Sequence, residues 1–152
     1  MRDFAPIAEE IRSELAPITD ATRAMTKLVG ILKERIPEYT WVGIYLLEGE
    51  TLQLGPYLGK PSPHTSIPLG QGICGAAATE KQTIIVDDVN SDERYLACSL
   101  ETRSEIVVPV MRNGEVLGEI DIDSDRKAAF GPADRELLEA VAALLAGKYS
   151  TR

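Results

Sequence analysis

Positive charge, cysteine, histidine and aromatic rings are all scarce in this chain. Sixteen Lys and Arg stand against 24 Asp and Glu, for a formal net charge of -8, and no Lys/Arg block offsets it. An acidic surface repels phosphate backbones, so nucleic acid and anionic membrane are not expected partners. The two cysteines, Cys74 and Cys98, lie far apart and the single histidine is His64. That excludes a Cys-x-x-Cys pair and a four-ligand zinc set drawn from Cys and His, and no metal is expected. No apolar run approaches the ~20 residues of a membrane span. Met1-Arg2-Asp3-Phe4 opens no apolar signal segment either. The expectation is a reduced, cytoplasmic, metal-free protein.

What is present fits one ordinary globular domain spanning residues 1–152, with 44% hydrophobic and 26% charged residues. Aromatics at 5% leave Leu, Ile, Val and Ala to fill the core. Ile7, Ile11 and Leu15 recur every fourth residue, so residues 1–19 read as an N-terminal helical extension closed by Pro17. A second helix starts at an Asp20 N-cap, lines up Met25, Leu28, Val29, Leu32 and Ile36, and ends at Pro37. Around Trp41 to Leu47 the period changes to two with apolar residues on both faces, a strand buried on both sides. Glu48-Gly49-Glu50 turns it into a partner strand through Leu52 and Leu54.

Residues 59–66 read as a loop, and Gly70 to Ala78 as a glycine-rich entry to a short, closely packed helix. Thr83 to Val86 reads as a short strand and Asp87 to Cys98 as a polar, mobile loop. Glu105 to Met111 and Glu115 to Asp123 form a hairpin through Asn113-Gly114, and a last helix runs from about Ala133 to Gly147. Consecutive hairpins with helices at both chain ends define an α+β class, an antiparallel sheet covered by the terminal helices. Those helices either pack together on the sheet or form a homodimer interface.

Four features carry chemistry. Cys98 sits at the end of the polar loop, where a thiol meets small molecules; the alternative is a small apolar plug. Cys74 sits at a tight helix start, which suits a core residue, although a helix N-terminus also lowers a thiol pKa. Asp121 and Asp123 alternate with Ile120 and Ile122 on one strand face and, with Glu105, make an acidic group that could hold a cation or handle protons. Glu119 shares that face, and a solvated outer sheet surface explains the pattern equally well. Trp41 and Tyr45 share a face of the first strand and could wall a small-ligand pocket. His64, between prolines, reads as exposed and idle.

Several stretches together resemble the free methionine-(R)-sulfoxide reductases, which are single GAF domains. They are Trp41-Val42-Gly43-Ile44-Tyr45, Gly59-Lys60-Pro61, Ile67 to Gly75, Asp87-Asp88-Val89, Ala97-Cys98, Arg103 to Pro109 and Leu117 to Ser124. The resemblance runs in unbroken order from about Asp20 to the final helix. It implies a GAF-like antiparallel sheet flanked by N- and C-terminal helices, with Cys98 as nucleophile and Glu105, Asp121 and Asp123 as substrate carboxylates. Trp41 and Tyr45 become the aromatic wall. The family normally places a resolving cysteine between the Gly-Lys-Pro and the Ile-Pro; here Ser62-Pro63-His64-Thr65-Ser66 contains none.

The implied reaction reduces free methionine sulfoxide without a cofactor. Glu105 or Asp123 polarises the sulfoxide oxygen, Cys98 attacks sulfur, and a sulfenic acid remains. Its reduction falls to Cys74 as resolving thiol or to an external thiol, glutathione or a thioredoxin-like protein. The alternative is a non-catalytic GAF module that binds a small molecule or senses redox state. The site also makes a demand on register. A plain two-residue Asn113-Gly114 loop puts Glu105 opposite Ile122, away from both aspartates. A type I turn with Gly114 as a bulge would instead set Glu105 opposite Asp121, with Asp123 its diagonal neighbour.

Overall fold

A computed structural model of the chain describes residues 3–95 and 101–149. In chain order the elements are α1 (Ala5–Leu15), α2 (Ala21–Arg35), β1 (Trp41–Glu48), β2 (Thr51–Leu58), β3 (Ser66–Pro68) and α3 (Gly72–Glu80). There follow β4 (Ile84–Val86), β5 (Ser104–Arg112), β6 (Glu115–Ser124) and α4 (Pro132–Ala146). The strands form a six-stranded antiparallel sheet in the order β3-β2-β1-β6-β5-β4. Local signals set the helix ends. Asp20 accepts a hydrogen bond from the Arg23 N–H at 2.9 Å at the start of α2, and Ile36 leaves the helix in extended geometry just before Pro37. Among the described residues, no helix is long and apolar enough to cross a membrane.

Alternate residues of the central strands divide between two cores. Val42, Ile44, Ile106, Val108, Val110, Ile120 and Ile122 point into the layer formed by α1, α2 and α4. Trp41, Tyr45 and Val107 point the other way, towards Ile73, Cys74, Ala77 and Ala78 of α3. The expected two-sided burial of the first strand is therefore observed. The terminal helices pack with each other on the sheet: Lys148 Nζ donates to the Leu15 carbonyl at 2.8 Å, and the Arg35 guanidinium grips Glu10 at 2.9 Å through two nitrogens.

Two expectations change. The stretch read as a loop through residue 66 ends in a strand, because Ser66 and Ile67 pair with Gln53 and Leu52. Ile67 fills a buried place over the sheet, and three residues are too few to show a period. The β5–β6 hairpin also differs. Arg112 does face Glu115 across a two-residue loop, and both Asn113 and Gly114 have positive φ, 55° and 77°, as a type I′ turn requires. The irregularity lies inside β6: Val110 pairs with Gly118 but Met111 with Val116, so Leu117 is an extra residue. The shift has the opposite sense to the one expected. Glu105 lies opposite Asp123, and Val107 lies opposite Asp121.

Candidate active site

Beyond that bulge, every second residue of β6 carries a carboxyl to the α3 side. Glu119, Asp121 and Asp123 are 0%, 2% and 3% exposed, and Glu105 beside them is 4% exposed. A solvated outer face is thereby excluded. β1 completes the surface, pairing Trp41 with Asp123, Gly43 with Asp121 and Tyr45 with Glu119. The cover is α3, seated tightly because Gly75 lies against the preceding turn. A Cβ there would meet the Gly70 nitrogen at 2.9 Å and the Pro68 carbonyl at 3.1 Å. Gly75 and the small Ala77 and Ala78 bring the helix, and with it Cys74, close over the acidic residues.

Cys74 is buried, and its Sγ, one Glu105 oxygen and one Asp121 oxygen all lie within 4.8 Å of one another. Burial, and then the negative fields of Asp121, Glu119 and Glu105, push its pKa well above the ordinary thiol value. The helix N-terminus does not overcome them, and Cys74 is held as a thiol. The carboxyls respond in the same direction. Burial and then Asp121 hold Glu119 well above the usual carboxylate range, with the nearby Cys74 thiol pulling the other way. Burial raises Asp121, opposed by the hydrogen bond from Glu105 and by the thiol. Burial and then Asp121 raise Asp123, opposed by Glu105. Such groups retain protons that exposed carboxyls lose. Among the described residues, both Glu119 oxygens and one oxygen each of Asp121 and Asp123 lack a hydrogen-bond partner.

A cavity of about 10 Å3 lies at the centre, bounded by Tyr45, His64, Ile67, Cys74, Glu105 and Asp121. The wide groove of about 730 Å3 between α1 and α4 contains none of this chemistry. Tyr45 is fixed by its hydroxyl, which donates to the His64 carbonyl at 2.8 Å. His64 is therefore not the exposed, idle residue expected; it is half-buried and walls the cavity. Trp41 is committed elsewhere. Its Nε1 donates to the Lys60 carbonyl at 2.9 Å, its ring stacks on Tyr57 at 5.6 Å, and it lies across Gly43, where a Cβ would come within 2.3 Å. It covers the sheet beside the cavity without bordering it. Cys98, read as the nucleophile, lies outside the described residues.

Comparison with known proteins agrees with this arrangement. The GAF domain family matches residues 3–148. The chain is 32% identical over 142 residues to the free methionine-R-sulfoxide reductase of Escherichia coli (strain K12), covering 93% of this chain and 86% of that protein. It belongs to the free methionine-R-sulfoxide reductase family. A reductase of that name in Saccharomyces cerevisiae is 45% identical over 112 residues, covering 71% of this chain and 62% of the yeast protein. The fold superposes on the free methionine-R-sulfoxide reductase of Neisseria meningitidis in complex with its substrate, with TM-score 0.90 and 34% identity, covering 97% of this chain and 91% of that one. It also superposes on the type II enzyme of Thermoplasma acidophilum, with TM-score 0.80 and 42% identity, covering 93% and 94% of the two chains.

Within this family member the structure adds a fourth buried carboxyl, Glu119, to the three expected. Its signal was the alternation Glu119-Ile120-Asp121-Ile122-Asp123, which continues one step beyond the acidic pair. His64 gave no such signal. Its place depends on how the chain returns from β2 to β3.

Proposed function

We propose that the chain reduces free methionine-R-sulfoxide to methionine, with the acidic face beneath α3 as its substrate site. The observation that carries this reading, in a chain of this family, is the buried carboxyl cluster. Glu119, Asp121 and Asp123 have no Lys or Arg ion pair among the described residues. Ionising carboxyls buried in this way needs a cation beside them, and the ammonium of a free amino acid supplies one. A methionine whose nitrogen lies in a peptide bond has none, which turns the site away from methionine inside a protein chain.

In this reading the ammonium lies against Asp121 and its neighbours. Asp123 or Glu105, protonated, donates to the sulfoxide oxygen; Asp123 is suited because its pKa is raised. Cys98 as thiolate attacks sulfur; the new sulfur–sulfur bond and the methionine sulfur–oxygen bond then break as the protonated oxygen bonds to the Cys98 sulfur, releasing methionine and leaving Cys98 as sulfenic acid. A second thiol condenses with the sulfenic acid, releasing water and forming a disulfide, and a further thiol reduces that disulfide. Because Cys74 is buried and protonated, it is a slow resolving thiol. The reading therefore favours an external one, glutathione or a thioredoxin-like protein, and with it a reducing compartment such as the cytoplasm. The cavity is too small for an amino acid, so substrate entry displaces part of the wall formed by His64, Ile67 and Cys74.

The test is nuclear magnetic resonance of the two diastereomers of free methionine sulfoxide with excess dithiothreitol. Only the R form should disappear. Cys98→Ser should abolish methionine release in a single turnover, whereas Cys74→Ser should still release one equivalent. Consumption of both diastereomers, or of neither, refutes the activity. Wild-type single turnover by Cys98→Ser refutes the nucleophile.

A further inference from the structure

We propose that the cavity between Cys74, Glu105 and Asp121 is a binding site for a thiophilic divalent cation such as Zn2+, and that the bound ion occupies the substrate's ammonium position. The second half rests on the reductase reading; the first does not. Three observations converge on it. The donor atoms of all three side chains lie within 4.8 Å of one another. Zn2+ holds sulfur and oxygen ligands at about 2.0–2.3 Å, so small side-chain rotations close the set around an ion. The cavity of about 10 Å3 has room for about one water-sized body, enough for a small ion and far below an amino acid.

The third observation is unmet polar demand. Among the described residues, one Asp121 oxygen and both Glu119 oxygens have no hydrogen-bond partner, in side chains 2% and 0% exposed. Buried polar groups in native proteins nearly always have partners, so these await one. Glu119 acts on the same Cys74 thiol, so a further carboxyl stands beside the ion, and a divalent cation ionises such a group more readily than a monovalent one. The sulfur sets the identity: a thiolate among carboxylates selects Zn2+ over Mg2+ or Ca2+, which take oxygen ligands alone. On binding, the Cys74 S–H bond breaks, its proton goes to solvent and a Zn–S bond forms, with no change of oxidation state.

Pre-reduced protein, freed of metal and of added thiols, is titrated with Co2+ as a spectroscopic probe and with Zn2+ by calorimetry. The expected result is a near-ultraviolet thiolate-to-Co2+ band saturating at one equivalent. Cys74→Ser should lose the band and weaken Zn2+ at least tenfold, while Cys98→Ser keeps both. Asp121→Asn, with folding checked by circular dichroism, should also weaken Zn2+ tenfold or more, which decides the matter if Cys74→Ser does not fold. No thiolate band in the wild type, or a band lost in Cys98→Ser and kept in Cys74→Ser, overturns the site. Zn2+ should raise the sulfoxide concentration for half-maximal single-turnover rate in the wild type, and at least tenfold less in Cys74→Ser. Equal inhibition of the two overturns the shared position. Metal-free turnover separates the readings: turnover without a Co2+ band refutes the metal site alone, and a Cys74-dependent band without turnover upholds it while refuting the reductase.

Discussion

The two faces of the sheet are made by the same strands, one residue out of step, and both are dry. On the side of α1, α2 and α4, Ile106, Val108, Ile120 and Ile122 are at most 1% exposed and purely apolar. On the side of α3, their neighbours Glu105, Glu119, Asp121 and Asp123 are at most 4% exposed and all acidic. Burial therefore does not distinguish them. What differs is the partner: the first face is met by leucine-rich helices, the second by one small-residue helix and a small cavity. Removing apolar area from water at about 25 cal/mol per Å2 makes the first face the source of stability. The second spends some of that stability to keep carboxyls in a dry place. A period of two lets one strand serve both ends without compromise.

The comparison breaks most visibly if a carboxyl crosses to the wrong side. Ile120→Asp should cost about 4 kcal/mol or more in urea denaturation, because no ligand or polar partner meets it among the helices. A wild-type midpoint would mean that the helix side tolerates charge as the α3 side does. The converse substitution, Asp123→Asn, should lower single-turnover sulfoxide reduction about 100-fold, near 2.7 kcal/mol on the barrier, without lowering the unfolding midpoint. Unchanged turnover would remove Asp123 from the chemistry.

A smaller effect tests the ring that shields the acidic side. Gly43→Ala puts a Cβ within 2.3 Å of the Trp41 ring, which must swing away. The expected cost is about 1–3 kcal/mol, with a red-shifted tryptophan fluorescence as the indole meets water. Emission identical to wild type would show that the ring has room to spare. The smallest effect concerns pH. Glu119 has a folded-state pKa well above the ordinary 4.5, so its contribution to stability is complete below 4.5 and is lost as pH rises through the raised value. Glu119→Gln should flatten that decline, whose limiting slope for a single group is about 1.4 kcal/mol per pH unit. A decline as steep in the variant as in the wild type would assign the pH dependence to other groups.

Most of the scaffold could be read from residue spacing, because the forces that fix it are local. The four-residue period of Ile7, Ile11 and Leu15, the Asp20 cap and the Asn113-Gly114 turn act within a few residues of themselves. So did the gathering of Glu105, Asp121 and Asp123 on one face, once their spacing was set beside the family resemblance. The burial of that face was not legible. It depends on α3 arriving from elsewhere in the chain, and Gly75 announces only that something passes close. Nor was the protonated state of Cys74 legible, since three carboxyls from two other strands outweigh its own helix. β3 escaped notice because three residues carry no period. The bulge at Leu117 left no signal of its own, although Gly118 beside it is enforced by the Tyr45 carbonyl, 2.2 Å from where a Cβ would stand.

That extra residue makes the hairpin one residue longer than its pairing requires. Val116 and Gly118 already face consecutive residues of β5, so deleting Leu117 would close a regular ladder and leave Glu105 opposite Asp123. Deleting Val108 instead would throw Glu105 to the other side of the sheet unless a new bulge formed. Tolerance to changes in chain length is thus polarised along this hairpin. The turn end can gain or lose a residue and stay in register with the chemistry, which makes it the place to splice in a tether or a reporter loop. The stretch from Ser104 to Val110 is instead a ruler that accepts substitutions but not a change of count.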